Sequence, residues 1–154
     1  MKAAPYEQIQ QSLKKKIPTS LLSALPKKWE KLGDVIIITL SDNLQEYRKV
    51  IGQTYASILG GTSVLEDEGD IHGEYRQPTV LHIYGSTDTE TEHKENDVRY
   101  HLDPQKVMFS SGNMNERIRM ATIADTSETI VDLFAGIGYF TLPIAVHSLS
   151  LIHI

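Results

Sequence analysis

The chain has 154 residues, 40% hydrophobic and 23% charged, with a formal net charge of -5 and no cysteine. That length makes one domain, or a domain and a fragment, and the composition is globular rather than disordered. The absence of cysteine removes a disulfide scaffold, a thiolate zinc site and a cysteine nucleophile together, and the mild acidity argues against a chain built chiefly to coat nucleic acid.

Residues 1–33 form a basic arm. Between Leu13 and Leu32 stand six lysines (Lys14, Lys15, Lys16, Lys27, Lys28, Lys31) and one acid, Glu30, with Pro18 and Pro26 breaking the stretch into short helical turns. The plain reading is a solvated face; the alternative is an arm facing phosphates, which lysine clusters bind without regard to sequence. Trp29 reads as a core or hinge anchor. No apolar run approaches the roughly 20 residues of a spanning helix, and the N-terminus carries no apolar leader, so a soluble, cytoplasmic chain is expected.

Asp34 to Leu40 is a continuous β-branched run that predicts a buried strand. Ser41, Asp42 and Asn43 offer caps for a helix whose apolar face carries Tyr47, Val50, Ile51, Thr54, Tyr55 and Ile58, stopped by Gly60-Gly61. Residues 62–103 read as β-rich, with strands at Ser63–Leu65, Thr79–Tyr84, Glu90–Lys94 and Arg99–Leu102. The acidic stretches 66–70 and 88–92 read as solvated hairpin ends. Asn113 and Glu116 have capping-box spacing, opening a helix with Met114, Ile118, Ala121 and Ile123 on one face. Thr129–Phe134 reads as a strand, Ala135–Gly138 as a tight turn and Tyr139–Val146 as a helix, with Pro143 tolerated in the first turn. The expected architecture is an α+β N-terminal domain followed by the start of an α/β Rossmann-like fold. Its divisions are the arm at 1–33, the smaller α+β domain at 34–106, a connecting helix with the first strand–turn–helix unit at 107–148, and a divergent tail at 149–154.

The segment Val131-Asp-Leu-Phe-Ala-Gly-Ile-Gly-Tyr-Phe-Thr-Leu-Pro143 carries the chemistry. A strand ending in an acid, a Gly-x-Gly turn and a helix start form the first unit of a nucleotide- or nucleoside-binding sheet. Gly136 and Gly138 lack a Cβ and let a ligand lie against the backbone. A dinucleotide fingerprint needs a small residue at the sixth position, where Thr141 stands, so a pyrophosphate fits poorly. Four histidines (His72, His82, His93, His101) have neither helical pair spacing nor cysteine company, so no metal is expected.

The glycine segment resembles the first motif of class I S-adenosylmethionine-dependent transferases. Three earlier stretches narrow the resemblance: Gly73-Glu-Tyr-Arg76, Thr91-Glu-His-Lys-Glu-Asn96 and Leu102-Asp-Pro-Gln-Lys-Val-Met-Phe-Ser-Ser-Gly-Asn-Met-Asn-Glu-Arg117. Over about residues 27–148 the chain is similar to two related tRNA enzymes, the wybutosine-synthesising 3-amino-3-carboxypropyl transferases and the guanine-37-N1 methyltransferases. Met108-Phe-Ser-Ser-Gly-Asn113 brings it closer to the first. The resemblance implies S-adenosylmethionine as co-substrate, phenylalanine tRNA as partner and 4-demethylwyosine at position 37 as acceptor. It also implies Ser110, Arg117, Asp132, Phe134, Ala135, Gly136 and Gly138 as cofactor-binding residues. An arginine fork suits the α-carboxylate of the methionine arm, and a hydroxyl can bond the same group. The plainer alternatives are Ser110 as a helix cap, Arg117 as a surface residue and Gly73–Arg76 as a hairpin turn with an ion pair. Catalytic residues stay unassigned, because the resemblance disappears after Ser148 where further strands are expected. A truncated chain is therefore expected, binding cofactor weakly and lacking turnover alone. An N1-methyltransferase fragment and a non-catalytic tRNA-binding module remain the alternatives.

Overall fold

The computed structural model describes residues 3–72, 77–123, 125 and 128–147, and of residues 70–72 the backbone alone. The chain divides into two compact units, one of Met1–His93 and His101–Phe109, the other of Lys94–Tyr100 and Ser110–Ile154.

In the first unit, helix α1 (Pro5–Leu13) leads through a 3-10 turn at Thr19–Ala24 to β1 (Glu30–Leu32) and β2 (Val35–Ile38). A second 3-10 turn at Asp42–Tyr47 runs into α2 (Arg48–Leu59), followed by β3 (Ser63–His72) and β4 (Gln77–Gly85). The sheet order is β1-β2-β3-β4: β2 pairs parallel with β3, and the outer pairs are antiparallel. The parallel step requires a crossover, which α2 supplies. Its buried Ile51, Tyr55 and Ala56 meet Ile36, Ile38, Val64 and Ile83 from the sheet. Burying each large aliphatic side chain contributes about 1.5–3 kcal/mol.

The basic arm takes part in this core. Ile9, Leu13, Ile17 and Leu25 are buried in it, while Lys14, Lys15, Lys16, Lys27, Lys28 and Lys31 stay exposed. Spacing of four residues puts Ile9 and Leu13 on one helical stripe. Trp29 packs edge-on against Tyr55, ring centroids 6.1 Å apart, and the Tyr55 hydroxyl donates to the Pro26 carbonyl at 2.5 Å. Lys31 does local work as well: its Nζ donates to the carbonyls of Leu59 and Gly60, at 2.7 and 3.1 Å, closing the end of α2.

The acidic stretch at 66–70 is not a hairpin end, as the sequence suggests. It lies inside β3, which continues to His72 through a register shift between Asp67 and Ile71, with Gly69 at φ 82. Glu66 is buried and accepts from Gln45 Nε2 at 2.5 Å. A bulge lets one strand carry charges that would otherwise mark a turn. Residues 73–76, read as a hairpin turn with an ion pair, lie outside the described residues, as does the tail at 149–154.

Strands β5 (Thr91–Glu95) and β6 (Val98–Leu102) form a separate hairpin. Its two turn residues, Asn96 and Asp97, both have positive φ, at 48 and 61, the backbone of a tight hairpin turn whose twist matches its strands. The base of β5 rests on Gly33. A Cβ there would lie 2.1 Å from Thr91 Oγ1, and φ is +55, so both space and backbone demand glycine. Thr91 then donates to Asp34 Oδ1 at 2.7 Å and accepts from the Asp34 amide at 3.2 Å.

In the second unit, α3 (Met114–Ile123) packs against α4 (Thr141–His147). The buried face of α3 differs from the one its apolar spacing predicts: Arg117 and Ala121 are buried, whereas Met114, Ile118 and Ile123 are exposed. Pro143 sits in the first turn of α4, as expected. Residues 129–134 do not form a strand. A strand is held by its ladder, and none of the described strands pairs with this segment.

Candidate cofactor site

The glycine turn and the loop before α3 belong to the same unit, and their geometry is set by a few polar ties. Asp132 folds its carboxylate over the turn: Oδ1 accepts from the Phe134 amide at 3.2 Å and Oδ2 from the Thr141 hydroxyl at 2.6 Å. Thr141, which argues against a pyrophosphate site, thus anchors the acid at the other end of the motif and is itself buried. The Gly138 amide donates to the Ala135 carbonyl at 2.8 Å, and the Gly138 carbonyl accepts the first helical bond, from Leu142, at 3.0 Å.

The two glycines serve different ends. Gly138 has φ +86, and a Cβ there would meet Leu142 Cγ at 2.6 Å, so it is needed for helix packing. Gly136 has φ +57 and open space around it, the nearest atom to a Cβ being the Phe134 carbonyl oxygen at 4.0 Å. Beside it, Phe134 is 94% exposed. Bare backbone next to an exposed ring, with a fixed carboxylate behind, is a cradle that fits a nucleoside or amino-acid group.

Ser110 and Arg117 meet on the other segment. Arg117 is not a surface residue. It is 2% exposed, and its Nη1 lies 2.9 Å from Oε1 and 3.2 Å from Oε2 of Glu95, itself buried at the tip of the hairpin. Nη2 donates to the carbonyl oxygens of Ser110, at 2.6 Å, and of Gly112. The face of the guanidinium lies over the Tyr139 ring, 4.5 Å from its centroid. Tyr139 in turn accepts from the Ser110 amide at 2.5 Å through its hydroxyl. Ser110 Oγ accepts from the Gly112 amide at 3.3 Å, a loop-stabilising contact rather than a cap inside α3. Asn113, with φ 58, offers its carbonyl to the Arg117 amide at 3.0 Å as the helix begins.

The structure therefore ties the Ser110 loop to Tyr139, the residue directly after the glycine turn, through Arg117 and Glu95. The sequence gives no site role to Glu95 or Tyr139, and presents Thr141 only as an argument against a pyrophosphate. Glu95 lies in an all-polar strand, TEHKE, where hydrophobic alternation is silent although the burial alternates. Burial, and then the neighbouring Glu95 carboxylate, hold the Tyr100 phenol above its ordinary value. Two of the histidines have local partners: His93 Nδ1 accepts from the Gly33 amide at 3.4 Å, and His82 Nε2 lies 2.8 Å from the Ser86 carbonyl. Among the described residues no three His, Asp or Glu side chains gather as metal ligands, and no helix is long and apolar enough to cross a membrane.

Comparison with known proteins identifies the chain. Residues 9–89 match the TYW2 N-terminal domain, and residues 91–152 match the TRM5/TYW2 methyltransferase domain, a match running past Ser148 into the segment read as a divergent tail. The chain is 47% identical over 139 residues to the tRNA(Phe) (4-demethylwyosine(37)-C(7)) aminocarboxypropyltransferase of Pyrococcus horikoshii, covering 90% of this chain and 49% of that protein. It is 35% identical over 130 residues to the tRNA (guanine(37)-N(1))-methyltransferase Trm5b of Pyrococcus abyssi, covering 84% of this chain and 39% of that one. The crystal structure of P. horikoshii TYW2 in complex with MeSAdo superposes with a TM-score of 0.78 at 41% identity, covering 96% of this chain and 52% of that one. The chain thus spans about half the length of the relatives it matches. On the match of its N-terminal residues 9–89 and the continuing match through 152, it belongs to the TYW2 family of the TRM5/TYW2 transferases.

Proposed function

We propose that this chain supplies the S-adenosylmethionine cradle of a tRNA 3-amino-3-carboxypropyl transferase acting on 4-demethylwyosine at position 37 of phenylalanine tRNA. The observation that carries the reading is the open backbone at Gly136, flanked by exposed Phe134 and backed by the tethered Asp132 carboxylate. Family membership selects this ligand from among those that such a cradle could hold.

Bound S-adenosylmethionine supplies a sulfonium that activates its methyl and the γ-carbon of its methionine arm toward nucleophiles. Positioning decides which carbon the acceptor reaches. Ala135, Gly136 and Gly138 present backbone to the ligand, Phe134 offers a flat apolar surface, and Asp132 accepts from donors on the ligand. Ser110 and Arg117 serve the α-carboxylate end. With Nη2 holding two loop carbonyls, the Arg117 guanidinium lends its charge to the carboxylate end of the site while keeping the Ser110 loop in place. A carboxylate held there would fix the orientation of the methionine arm.

In this division, residues 107–148 serve the cofactor and residues 34–106 the tRNA, with the exposed lysines of 1–33 facing phosphates. The reaction belongs to the cytoplasm on the same reading. The test is calorimetric titration of the chain with S-adenosylmethionine, with Arg117→Ala beside it. Saturable binding, weakened roughly tenfold or more in the variant as a charge-assisted hydrogen bond is lost, is expected; unchanged affinity in the variant rejects the assignment of Arg117. Mass analysis of tRNA nucleosides after incubation with the chain tests the expected lack of turnover, and any product mass separates carboxypropyl from methyl transfer.

A further inference from the structure

We propose that Glu95 and Tyr139 are positioning residues for the methionine arm of the cofactor. They clamp Arg117 and the Ser110 loop in the binding-ready arrangement before the ligand arrives. The inference rests on the site reading above and extends it to two side chains outside the binding set.

Glu95 sits at the hairpin tip, 22 residues from Arg117 in sequence, with its side chain 4% exposed, and takes both of its carboxylate oxygens to one guanidinium nitrogen. This contact sets the plane of the fork. A guanidinium free to rotate would lose the two carbonyl bonds that hold the loop at Ser110 and Gly112. Tyr139 fixes the remaining freedom from the other side: its ring lies 4.5 Å below the guanidinium carbon, and its hydroxyl takes the Ser110 amide. A buried ion pair is a poor source of net stability, since desolvation offsets most of the attraction. Its geometry is nevertheless demanding, and geometry is what an arm-orienting site needs. Because Tyr139 directly follows Gly138, the clamp also connects the two halves of the proposed site, the Ser110 loop and the glycine turn.

The chemistry predicts a selective defect. Glu95→Gln keeps shape and removes charge; Tyr139→Phe keeps the ring and removes only the hydroxyl that accepts from Ser110. Binding of S-adenosylmethionine and of 5′-methylthioadenosine, which has the nucleoside but no amino-acid arm, is compared in both variants of the whole chain. Backbone hydrogen exchange is followed without ligand across residues 109–113. The expected result is faster exchange of the 109–113 amides, roughly tenfold as a locking hydrogen bond is lost. It is accompanied by a similar loss of affinity for S-adenosylmethionine and by unchanged affinity for methylthioadenosine. Unchanged exchange in both variants overturns the clamp, and so does an equal loss of both ligands, which would indicate a general structural role. If the unsubstituted chain binds neither ligand, the site reading fails by itself. The methionine-arm role then falls with it, and the exchange rates report only whether Glu95 and Tyr139 hold the loop.

Discussion

Hydroxyl groups hold several carboxylates among the described residues, and at Asp34 and Asp103 the consequences can be read in acid. Asp34 takes hydrogen bonds from the Thr91 and Thr62 hydroxyls, each at 2.7 Å. These bonds, Thr91 first, hold its carboxyl below the ordinary value of 3.8. A group whose folded pKa is depressed stabilises the fold above its unfolded pKa and ceases to do so as pH falls through the folded value. Asp34→Asn should therefore lower the urea midpoint at pH 6, and the gap from the unsubstituted chain should close in the acid range below the ordinary value. Urea titrations at pH 6 and at successively lower pH check this; a constant gap would refute it. Asp103 behaves alike. Burial pushes its carboxyl up, but bonds from the Thr89 hydroxyl and the Gln105 amide, with Lys106 beside it, leave it net lowered.

At the scale of elements, the end of α2, set locally by Gly60, is tied further to a distant strand. The last carbonyls of a helix have no partners within it, and here Lys31 of β1 reaches Leu59 and Gly60. Lys31→Met keeps most of the aliphatic stem and removes the donor. It should cost about 0.3–1 kcal/mol, the usual worth of a cation at a helix C-terminus, measurable as a lower urea midpoint with unchanged slope. A midpoint equal to the unsubstituted chain would mean that water replaces the ammonium without loss. The same lysine is one of six that the sequence presents as a basic cluster, so one-sixth of that apparent patch has a structural duty.

Over the whole molecule, the distribution of exposed apolar side chains is uneven. The first unit buries its aliphatic residues around α2 and the sheet. In the second, Val131 is 68% exposed and Leu133 79%, next to the exposed Phe134. Contiguous apolar surface of this kind favours association. The chain should self-associate in sedimentation at rising concentration, and Val131→Ser with Leu133→Ser should reduce this without altering the far-ultraviolet circular dichroism. Association unaffected by the double variant would assign it to another surface.

What the sequence alone determined is what local chemistry dictates. The β-branched run at 35–38, the helix face of α2 stopping at Gly60 and the hairpin turn at 96–97 follow from backbone preferences within a few residues. The glycine turn is equally legible, because Gly136 and Gly138 occupy backbone angles other residues resist. Tertiary structure decided the rest. The acidic run at 66–68 became strand because β4 pairs alongside it, and 129–134 failed to become one because a ladder needs a partner. Arg117 turned inward, against the apolar pattern of its own helix, because Glu95 waits 22 residues earlier in sequence at 2.9 Å. Hydrophobic periodicity carries no information about such a pairing; a buried charge goes where its counter-charge and its carbonyl acceptors are.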